Sequence, residues 1–413
     1  MPTRPLATSI VKRLSEAGHI AYFAGGWVRD FLMNRQSDDI DIATSASVEE
    51  IQRLFPKTIP VGIAFGIVIV VEEGHQFEVA TFRKDLGYVD GRRPTGIDPT
   101  GPKEDAKRRD FTINGMFYDP LKERLYDFVG GQADIEKKVI RAIGDPHERF
   151  LEDRLRMMRA VRYATRFDFT IEPNTYQAIL DHAESLLPAV AIERIWQEFK
   201  KMSRFAHFDS GLLSLHRLNL LPTIFNDLKG VSVEEVEKRL SPLKHYPPTP
   251  PAIAELIPLF PDHSLEKLLE LCEYLKLSKE EKDFASFFHH ARELLSMPPD
   301  WLKNLEKIEW AKFYAHKDAS LFIEIFSAHL PREQRKSYLQ EHKNRSDSLQ
   351  SSIERIRTQK PVVRSEHLLQ AGISPGKNMG ILLKEAERIS VNTQIEEPSE
   401  IISLLKKSPL WHS

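Results

Sequence analysis

The first part of the chain repeatedly shows apolar residues at the spacing of an amphipathic helix. Apolar positions recur three and four residues apart in three segments, which predicts helices at residues 7–20, 27–34 and 47–55. The last of these begins with Ser47, a residue type that commonly caps the N-terminus of a helix. These helices alternate with segments of a different period.

Between the helices, apolar residues alternate with period two or form short β-rich runs. The segment "AYFAGG", residues 21–26, predicts a short strand that enters a glycine turn. Alternation in "DDIDIAT", residues 38–44, predicts a second strand. Two β-rich runs joined by a polar turn that contains glycine predict a hairpin over residues 65–82. The first 145 residues therefore indicate a mixed α/β region.

Strand patterns nearly disappear beyond about Asp145. Residues 145–167, "DPHERFLEDRLRMMRAVRYATRF", have the spacing of one long amphipathic helix, and the segments that follow also favour helices. Prolines cluster in residues 241–251 and predict a linker or a sharp corner, because such a cluster cannot continue a helix. The whole pattern predicts an α+β protein, in which a head containing a mixed sheet precedes an all-helical remainder.

Composition adds limits to this picture. The chain has 413 residues, 41% hydrophobic and 29% charged, which is typical of a soluble globular protein of about three domains. Its one cysteine, Cys272, excludes an internal disulfide framework and a cysteine-rich zinc site, and its helical apolar surroundings predict a buried thiol. We see neither a secretory signal nor a membrane-spanning run, so the sequence predicts a cytoplasmic protein.

The charge is close to balanced overall and uneven locally. A net charge of −2 argues against a globally basic nucleic-acid binder. Between Arg332 and Arg364, however, nine lysines and arginines stand against four acidic residues. This excess fits either a solvated helix face or a surface that contacts the RNA backbone.

The acidic strand "DDIDIAT" carries the first candidate chemistry. On a strand Asp39 and Asp41 share one face, while Ile40 and Ile42 point to the other and can be buried. Two carboxylates this close resist ionising together unless a cation lies between them. Carboxylate oxygens suit Mg²⁺, which also accepts phosphate oxygens as ligands. The alternative is an exposed sheet face with scattered acidic residues.

Neighbouring residues point to phosphate chemistry beside this pair. Gly25 and Gly26 stand between a strand and a helix, where backbone N–H groups can approach phosphates, and Arg29 follows within the first helical turn. Glu78, amid apolar residues of the predicted hairpin, fits a third carboxylate beside the pair. Together these are the parts of a two-metal phosphoryl-transfer site. Neither a P-loop nor a dinucleotide-binding glycine motif is present in the sequence.

At this point the chain resembles the class II tRNA nucleotidyltransferases, which comprise CCA-adding, CC-adding and A-adding enzymes and bacterial poly(A) polymerases. The resemblance covers residues 20–170 and returns in "AGISPGKNMGILLKEAE" near the C-terminus. Six motifs occur in the family's order: "GGWVRDFL", "DDIDIATSA", "FPKTIPVG", "FEVATFR", "KRRDFTINGM" and "FLEDRLRMMRAVRYATRF". The resemblance implies a polymerase-β-like nucleotidyltransferase head followed by a helical neck, body and tail.

The family's residue roles carry over to matching positions. The resemblance implies that Asp39 and Asp41 bind Mg²⁺ and that Glu78 is the third catalytic carboxylate. It further implies that one group of residues contacts the incoming nucleotide: Gly25, Gly26, Arg29, Arg109, Asp110 and Asn114. The implied substrates are ATP, CTP and the 3′ end of tRNA.

The neck motif implies how the base is chosen. Its members are Glu152, Asp153 and Arg156, with Arg159 and Arg162 continuing the same helix. Cytosine and adenine each present an amino donor beside an unprotonated ring nitrogen, so a carboxylate and a guanidinium can accept both bases. Guanine and uracil present the reverse pattern. We therefore expect Asp153 and Arg156, neighbours at a helical spacing of three, to select C and A without a template.

Residues 83–107 form a Gly- and Pro-containing stretch similar to the flexible loop of CCA-adding and A-adding enzymes. CC-adding enzymes lack this loop, so pure CC addition is the least favoured specificity. CCA addition and A addition both stay open, poly(A) synthesis is the alternative activity, and a non-catalytic RNA-binding relative is less favoured because no carboxylate is lost. Monomer and homodimer also stay open. The expected domains are a catalytic head, a nucleotide-selecting neck, a body and a tRNA-binding tail, at residues 1–143, 144–205, 206–300 and 301–413.

Overall fold

The structure is a computed structural model that describes residues 3–88 and 94–412. The chain divides into two compact units, Met1–Leu240 and Ser241–Ser413. The boundary coincides with the proline cluster at residues 241–251, as expected of a corner that no helix can cross. The finer division into head, neck, body and tail stays a prediction.

The first unit contains the β-structure of the described residues. Its strands are β1 (Ala21–Ala24), β2 (Asp41–Thr44), β3 (Thr58–Gly62), β4 (Ile67–Glu72), β5 (His75–Thr81), β6 (Arg83–Tyr88), β7 (Pro94–Pro99), β8 (Met116–Asp119), β9 (Arg124–Asp127), β10 (Val139–Ile140) and β11 (Thr170–Ile171). Its helices are α1 (Thr3–Glu16), α2 (Gly26–Leu32), α3 (Val48–Leu54), α4 (Pro102–Lys107), α5 (Gly131–Glu136), α6 (Pro146–Glu152), α7 (Leu155–Phe167), α8 (Pro173–His182), α9 (Leu186–Ala189), α10 (Ile192–Met202), α11 (Phe208–Arg217), α12 (Leu220–Ile224) and α13 (Val233–Leu240).

Seven strands form one mixed sheet in the order β3-β4-β5-β2-β1-β8-β9. Neighbours pair antiparallel except β2 and β5, which run parallel. The predicted α+β class with a mixed sheet in the head is therefore confirmed. The pairing places Asp41 of β2 opposite Ala24, the last residue of β1, so the glycine turn that follows lies beside the acidic strand.

The apolar alternation of the acidic strand agrees with its burial. Ile40 and Ile42 are buried in the core that joins the sheet to α1 and α3, while Asp39 is exposed and Asp41 is half-buried. The β4–β5 hairpin and the Ser47 cap of α3 are likewise confirmed, and Ser47 forms a complete capping box with Glu50. Local patterns thus predicted the elements that carry the acidic residues.

The prediction of one continuous helix over residues 145–167 is wrong. Helix α6 ends at Glu152 and α7 begins at Leu155, because Asp153 has an extended backbone with φ −148° and ψ 103°. The carboxylate of Asp153 accepts a hydrogen bond from the Leu155 N–H at 3.1 Å. A short acidic side chain that bonds nearby backbone in this way competes with helical pairing, and apolar spacing does not reveal that competition.

The interpretation of residues 83–107 as a loop also needs correction. Strands β6 and β7 form an antiparallel ladder, in which Arg83 pairs with Pro99 and Asp85 pairs with Ile97, and α4 follows. The tip of the predicted loop, residues 89–93, lies outside the described residues. Gly87 lies within β6, Gly96 lies within β7 and Pro102 begins α4, so glycines and prolines of this stretch are compatible with regular structure.

The second unit is helical throughout its described residues, which confirms the all-helical remainder. Its helices are α14 (Ala252–Leu256), α15 (Leu265–Tyr274), α16 (Lys279–Leu295), α17 (Pro299–Asn304), α18 (Lys307–Ala315), α19 (Ala319–Ala328), α20 (Arg332–Ser348), α21 (Gln350–Thr358), α22 (Ser365–Gln370), α23 (Lys377–Thr393) and α24 (Pro398–Leu405). Cys272 is buried in α15, as predicted. Within residues 3–88 and 94–412, none of the helices has the length and apolarity that a bilayer crossing requires.

Candidate functional site

Most residues with a predicted role line one cavity of about 700 Å³ in the first unit. Eight of its twenty lining residues are arginines and six are aspartates, a composition that suits a phosphorylated ligand. The predicted residues that the cavity brings together are Gly25, Gly26, Arg29, Asp39, Asp41, Arg109, Asp110, Asn114, Asp153, Arg156 and Arg159. These residues are separated by up to 134 positions in sequence, yet they line one cavity.

The turn after β1 brings the backbone close to the acidic strand. Gly25 has φ +66°, a conformation that glycine adopts without steric cost. A Cβ atom there would lie 3.2 Å from Arg109 Nη1 and 3.7 Å from Asp41 Oδ2. Glycine at this position therefore lets a guanidinium and a carboxylate approach the main chain, and contact of this turn with a phosphate stays a prediction.

The acidic end of the cavity carries uncompensated negative charge. Burial raises the pKa of Asp41, and the neighbouring charges of Glu78 and Asp39 raise it further, to about 7, although the Arg109 guanidinium opposes them. Glu78 itself lines a smaller adjoining cavity of about 190 Å³ that shares Asp41 with the large one. A carboxylate that resists ionising at neutral pH indicates a site that needs an added cation.

These carboxylates fit a divalent cation. Asp39 and Asp41 supply hard oxygen donors on one wall of the cavity, and the raised pKa of Asp41 shows what a cation there would relieve. Among residues 3–88 and 94–412, no three histidine, cysteine or acidic side chains form a complete ligand set. A metal held by this pair would thus take its remaining ligands from water and from the phosphates of a substrate.

Asp105 is a buried carboxylate that the sequence interpretation missed. It lies in α4, where its Oδ1 accepts a hydrogen bond from Arg108 Nε at 2.8 Å and its Oδ2 accepts from Arg109 Nη2 at 3.0 Å. Burial would raise the pKa of Asp105, but the two guanidinium groups hold it below its usual value. Asp105 thereby fixes the arginine that lies beside Gly25. The sequence signal for these contacts was the spacing of three residues from Asp105 to Arg108 and of four residues to Arg109, because such spacings bring side chains together on a helix.

A hydrogen-bonded chain joins four residues that line the cavity. Arg29 Nη1 donates to Asn114 Oδ1 at 2.5 Å, Asn114 Nδ2 donates to Asp110 Oδ1 at 3.0 Å, and Arg159 Nε donates to Asp110 Oδ2 at 2.9 Å. Burial would raise the pKa of Asp110, yet Arg159 and Asn114 hold it far below its usual range. Asp110 therefore stays ionised and rigidly oriented, and its two oxygens also accept from the Phe111 N–H and from Arg159 Nη2.

Arg29 is more enclosed than its predicted phosphate contact required. Its guanidinium is buried, donates from Nε to Asp30 Oδ1 at 2.8 Å, and lies 4.6 Å from the centre of the Phe167 ring. Asp30 also pairs with Arg166 at 3.0 Å. The arginine lines the cavity, but its contacts within the protein show that it also joins α2 to α7. Direct contact with a phosphate stays a prediction.

Asp153 and Arg156 line the cavity without forming the helical pair that the spacing suggested. Asp153 Oδ2 lies 3.0 Å from Arg194 Nη2, whereas Arg156 Nη1 donates to Glu152 Oε2 at 2.6 Å. Arg194 thus holds Asp153, and Glu152 holds Arg156, so neither of the two predicted base-selecting residues holds the other. Arg194 lies in α10, 41 positions from Asp153, so no local sequence pattern could predict this pairing.

Two predicted neck residues do not line the large cavity. Glu152 lies in a separate depression, where its carboxylate bridges Arg149 and Arg156. Arg162 is buried and donates from Nε to Glu198 at 2.5 Å. Cavity residues that the sequence interpretation did not single out are Asp30, Ser37, Arg83, Asp85, Arg108, Leu155, Tyr163, Arg166 and Arg194.

Two family models match the first unit. The model described as "Poly A polymerase head domain" matches residues 21–141, which include the glycine turn, the acidic strand and Arg109 to Asn114. The model described as "Probable RNA and SrmB- binding site of polymerase A" matches residues 168–231. Together they cover regions on both sides of α6 and α7.

Whole-chain relatives extend these matches. A CCA-adding enzyme of Pediococcus pentosaceus is 35% identical over 398 residues, which is 95% of each chain. A CCA-adding enzyme of Lactobacillus johnsonii is 49% identical over 197 residues, about half of each chain. The structure also resembles the crystal structure of the Bacillus stearothermophilus CCA-adding enzyme in complex with CTP, with a TM-score of 0.74 at 29% identity over 98% of both chains. The chain therefore belongs to the family of CCA-adding enzymes and poly(A) polymerases that its motifs resemble.

Proposed function

We propose that this protein adds CMP and then AMP to the 3′ end of tRNA to build the CCA terminus, releasing pyrophosphate at each addition. The relative that matches 95% of this chain at 35% identity is a CCA-adding enzyme. The observation that carries the proposal is the single cavity in which acidic and arginine side chains meet, since nucleotidyl transfer needs both at one reacting phosphate.

The acidic end of the cavity is the proposed catalytic centre. Asp39 and Asp41 would hold Mg²⁺, and Glu78 would add negative charge beside them. When bound, this metal supplies the positive charge that lowers the pKa of the primer hydroxyl and neutralises the leaving pyrophosphate. The reaction forms a bond from the terminal ribose oxygen to the α-phosphorus and breaks the bond to the β-phosphate.

The arginine-rich wall is the proposed seat of the nucleotide. Arg109, fixed by Asp105 beside the Gly25 turn, is placed to hold phosphate oxygens. Asp110, fixed by Arg159 and Asn114, lines the same cavity and is the proposed contact of the ribose. Both side chains are oriented before a substrate arrives, which lowers the entropy lost on binding.

Base choice is proposed to depend on Asp153 and Arg156 at the neck side of the cavity. Asp153 would accept the amino group of C or A, and Arg156 would donate to the adjacent ring nitrogen. Arg194 and Glu152 hold these two side chains, respectively, so a change at either partner alters the base-selecting geometry indirectly. The same pair serves both nucleotides, and no nucleic-acid template is required.

Incubation with defined tRNA transcripts tests this proposal. Transcripts that end before CCA, after the first C and after CC are each mixed with one nucleoside triphosphate at a time. We expect CMP incorporation with the first two transcripts and a single AMP with the third. AMP addition only to the third transcript would instead identify an A-adding enzyme, and repeated AMP addition to all three would identify a poly(A) polymerase.

A further inference from the structure

Two histidine side chains contact each other on the surface of the first unit. His147 is the second residue of α6, and His182 is the last residue of α8. His147 Nδ1 lies 3.1 Å from His182 Nε2, and the planes of the two rings are inclined by 70°. Neither residue lines the cavity that contains Asp39 and Asp41. The pair is therefore separate from the proposed reaction centre.

The two ring nitrogens have the separation that a shared metal ion requires. Bonds from zinc to nitrogen are about 2.0–2.1 Å long, so two imidazole nitrogens on one ion are about 2.9 Å apart at a right angle and about 3.3 Å apart at a tetrahedral angle. The observed separation of 3.1 Å lies between these values. His147 is exposed and His182 is half-buried, so small rotations of the rings can direct both nitrogens to one ion without disturbing the core.

The protonation of the rings permits metal binding at neutral pH. Burial, followed by the nearby His147, lowers the pKa of His182, so this ring is neutral at physiological pH. In the part of the chain that the structure describes, neither His147 Nε2 nor His182 Nδ1 makes a hydrogen bond. Because a neutral imidazole carries its proton on either nitrogen, each ring can place the proton on this outer nitrogen and offer the lone pair of the inner one.

The charges beside the pair oppose each other. Asp181 raises the pKa of His182, whereas Arg154 lowers it. A cation at the pair is therefore attracted by the carboxylate and repelled by the guanidinium. Arg154 Nε also donates to Ser185 Oγ at 3.1 Å. Since the two charges act in opposite directions, the two ring nitrogens determine which ion the pair can bind.

Nitrogen donors select a different class of ion from the carboxylates of the large cavity. Imidazole suits Zn²⁺, Cu²⁺ and Ni²⁺, whereas Mg²⁺ takes oxygen ligands. Among residues 3–88 and 94–412, no third histidine, cysteine or acidic side chain completes a ligand set. An ion held by the pair would therefore take its remaining ligands from water and would exchange with the solvent.

We propose that His147 and His182 bind one divalent transition-metal ion of the Zn²⁺ class, which joins α6 to α8. Helix α6 also carries Glu152, whose Oε2 accepts a hydrogen bond from Arg156 Nη1 at 2.6 Å. An ion at the pair thus stabilises the helix that supports Arg156. The proposal goes beyond the proposed function and does not depend on it, because both histidines lie outside the reaction cavity. The alternative is a hydrogen bond between the two rings without metal affinity.

Zinc titration of the full-length protein tests the proposal. Metal-free protein is titrated with Zn²⁺ by calorimetry, and histidine-ring nitrogen NMR identifies the ligands. His147→Gln and His182→Gln each remove a ring nitrogen but keep an amide that can hydrogen-bond to the other histidine. His207→Ala, the control, removes an exposed histidine elsewhere in the first unit.

We expect each glutamine variant to weaken the binding of one Zn²⁺ equivalent at least about tenfold, since the loss of even an outer-shell partner costs about 10–100-fold. The control should keep the wild-type affinity, and Zn²⁺ should shift the resonances of His147 Nδ1 and His182 Nε2. Wild-type Zn²⁺ affinity in both glutamine variants, or an equal loss in His207→Ala, would overturn the proposal. A wild type that leaves both ring resonances unchanged on Zn²⁺ addition would show that the pair is a hydrogen bond only.

Discussion

The carboxylates in and beside the cavity that Asp41 lines fall into two groups with opposite pKa shifts. At the acidic end, burial and the charges of Glu78 and Asp39 raise the pKa of Asp41 to about 7. Asp105 is buried and Asp110 is half-buried, yet arginines hold the pKa of each below its usual value. The ionised form of aspartate is thus destabilised at Asp41 and stabilised at Asp105 and Asp110.

The difference shows which carboxylates have their charge balanced by the protein and which need an added cation. Asp105 and Asp110 have their counter-charges supplied by Arg109 and Arg159, so these carboxylates are held in place by the chain alone. Asp41 has a single opposing arginine and two repelling neighbours, so its charge is balanced only when a cation is added. This difference supports the proposal of a metal site at Asp41 beside a rigid group of arginine-bound carboxylates.

Removing a carboxylate from the acidic end should have the largest effect on activity. We expect Asp39→Ala or Asp41→Ala to lower the rate of nucleotide addition by at least about 10⁴-fold, which is more than 5 kcal/mol of barrier, because each loses a metal ligand. Single-turnover addition of CMP to tRNA measures the loss. Asp38→Ala is the matched control, since Asp38 is exposed beside the pair and does not line the cavity. Wild-type rates in either cavity variant would refute the metal assignment.

Removing a carboxylate whose charge arginines balance should act on stability as well. Asp105→Ala leaves Arg108 and Arg109 without their buried partner, and loss of one member of a buried ion pair costs about 3–5 kcal/mol. Urea denaturation followed by circular dichroism measures the change. Glu104→Gln, which removes an exposed pair with Lys107 in the same helix, should cost less than about 1 kcal/mol. Equal midpoints for the two variants would show that Asp105 does not hold Arg108 and Arg109 in place.

The base-selecting residues should show the smallest effect, a change in preference. In Asp153→Ala the amino group of C or A loses its acceptor, so discrimination worth about 1–3 kcal/mol disappears. Incorporation of UMP and GMP should then rise roughly 5- to 150-fold relative to CMP and AMP. Single-nucleotide incorporation with all four triphosphates measures the ratios. Asp181→Ala, an exposed position on α8, should leave them unchanged. Unaltered ratios in Asp153→Ala would reduce Asp153 to an ion-pair partner of Arg194.

Local patterns in the sequence predicted much of the first unit. Alternation around Asp39 and Asp41 predicted which side chains are buried, and the two-strand hairpin and the Ser47 cap followed from short-range chemistry. These features depend on residues within a few positions of one another, which is the distance over which helix and strand periods act.

Features that depend on distant partners were not predictable in the same way. The break between α6 and α7 follows from the Asp153 side chain, and that side chain is held by Arg194, 41 positions away. The opposite pKa shifts of Asp41 and Asp110 likewise depend on Glu78 and Arg159, which the fold brings to them. The spacing of residues in a sequence can identify a candidate carboxylate, but the residues that the fold brings next to that carboxylate determine whether it forms an ion pair.

The most direct test compares Asp41→Asn with Asp110→Asn in metal-free buffer at pH 8. Because the folded pKa of Asp41 is raised, its ionisation costs stability as pH rises from about 4 through about 7, and the difference between about 7 and the usual 3.8 sets an upper limit of about 4 kcal/mol. Because the folded pKa of Asp110 is lowered, its ionised form contributes stability above the usual value, which is lost only as the pH falls.

The measured quantity is the midpoint of urea-induced unfolding for each variant against wild type. We expect Asp41→Asn to raise the midpoint at pH 8 and to change it little at pH 4, and added Mg²⁺ to stabilise the wild type more than this variant. We expect Asp110→Asn to lower the midpoint at pH 8. A decrease in both variants, or an increase in both, would contradict the opposite roles assigned to these two carboxylates.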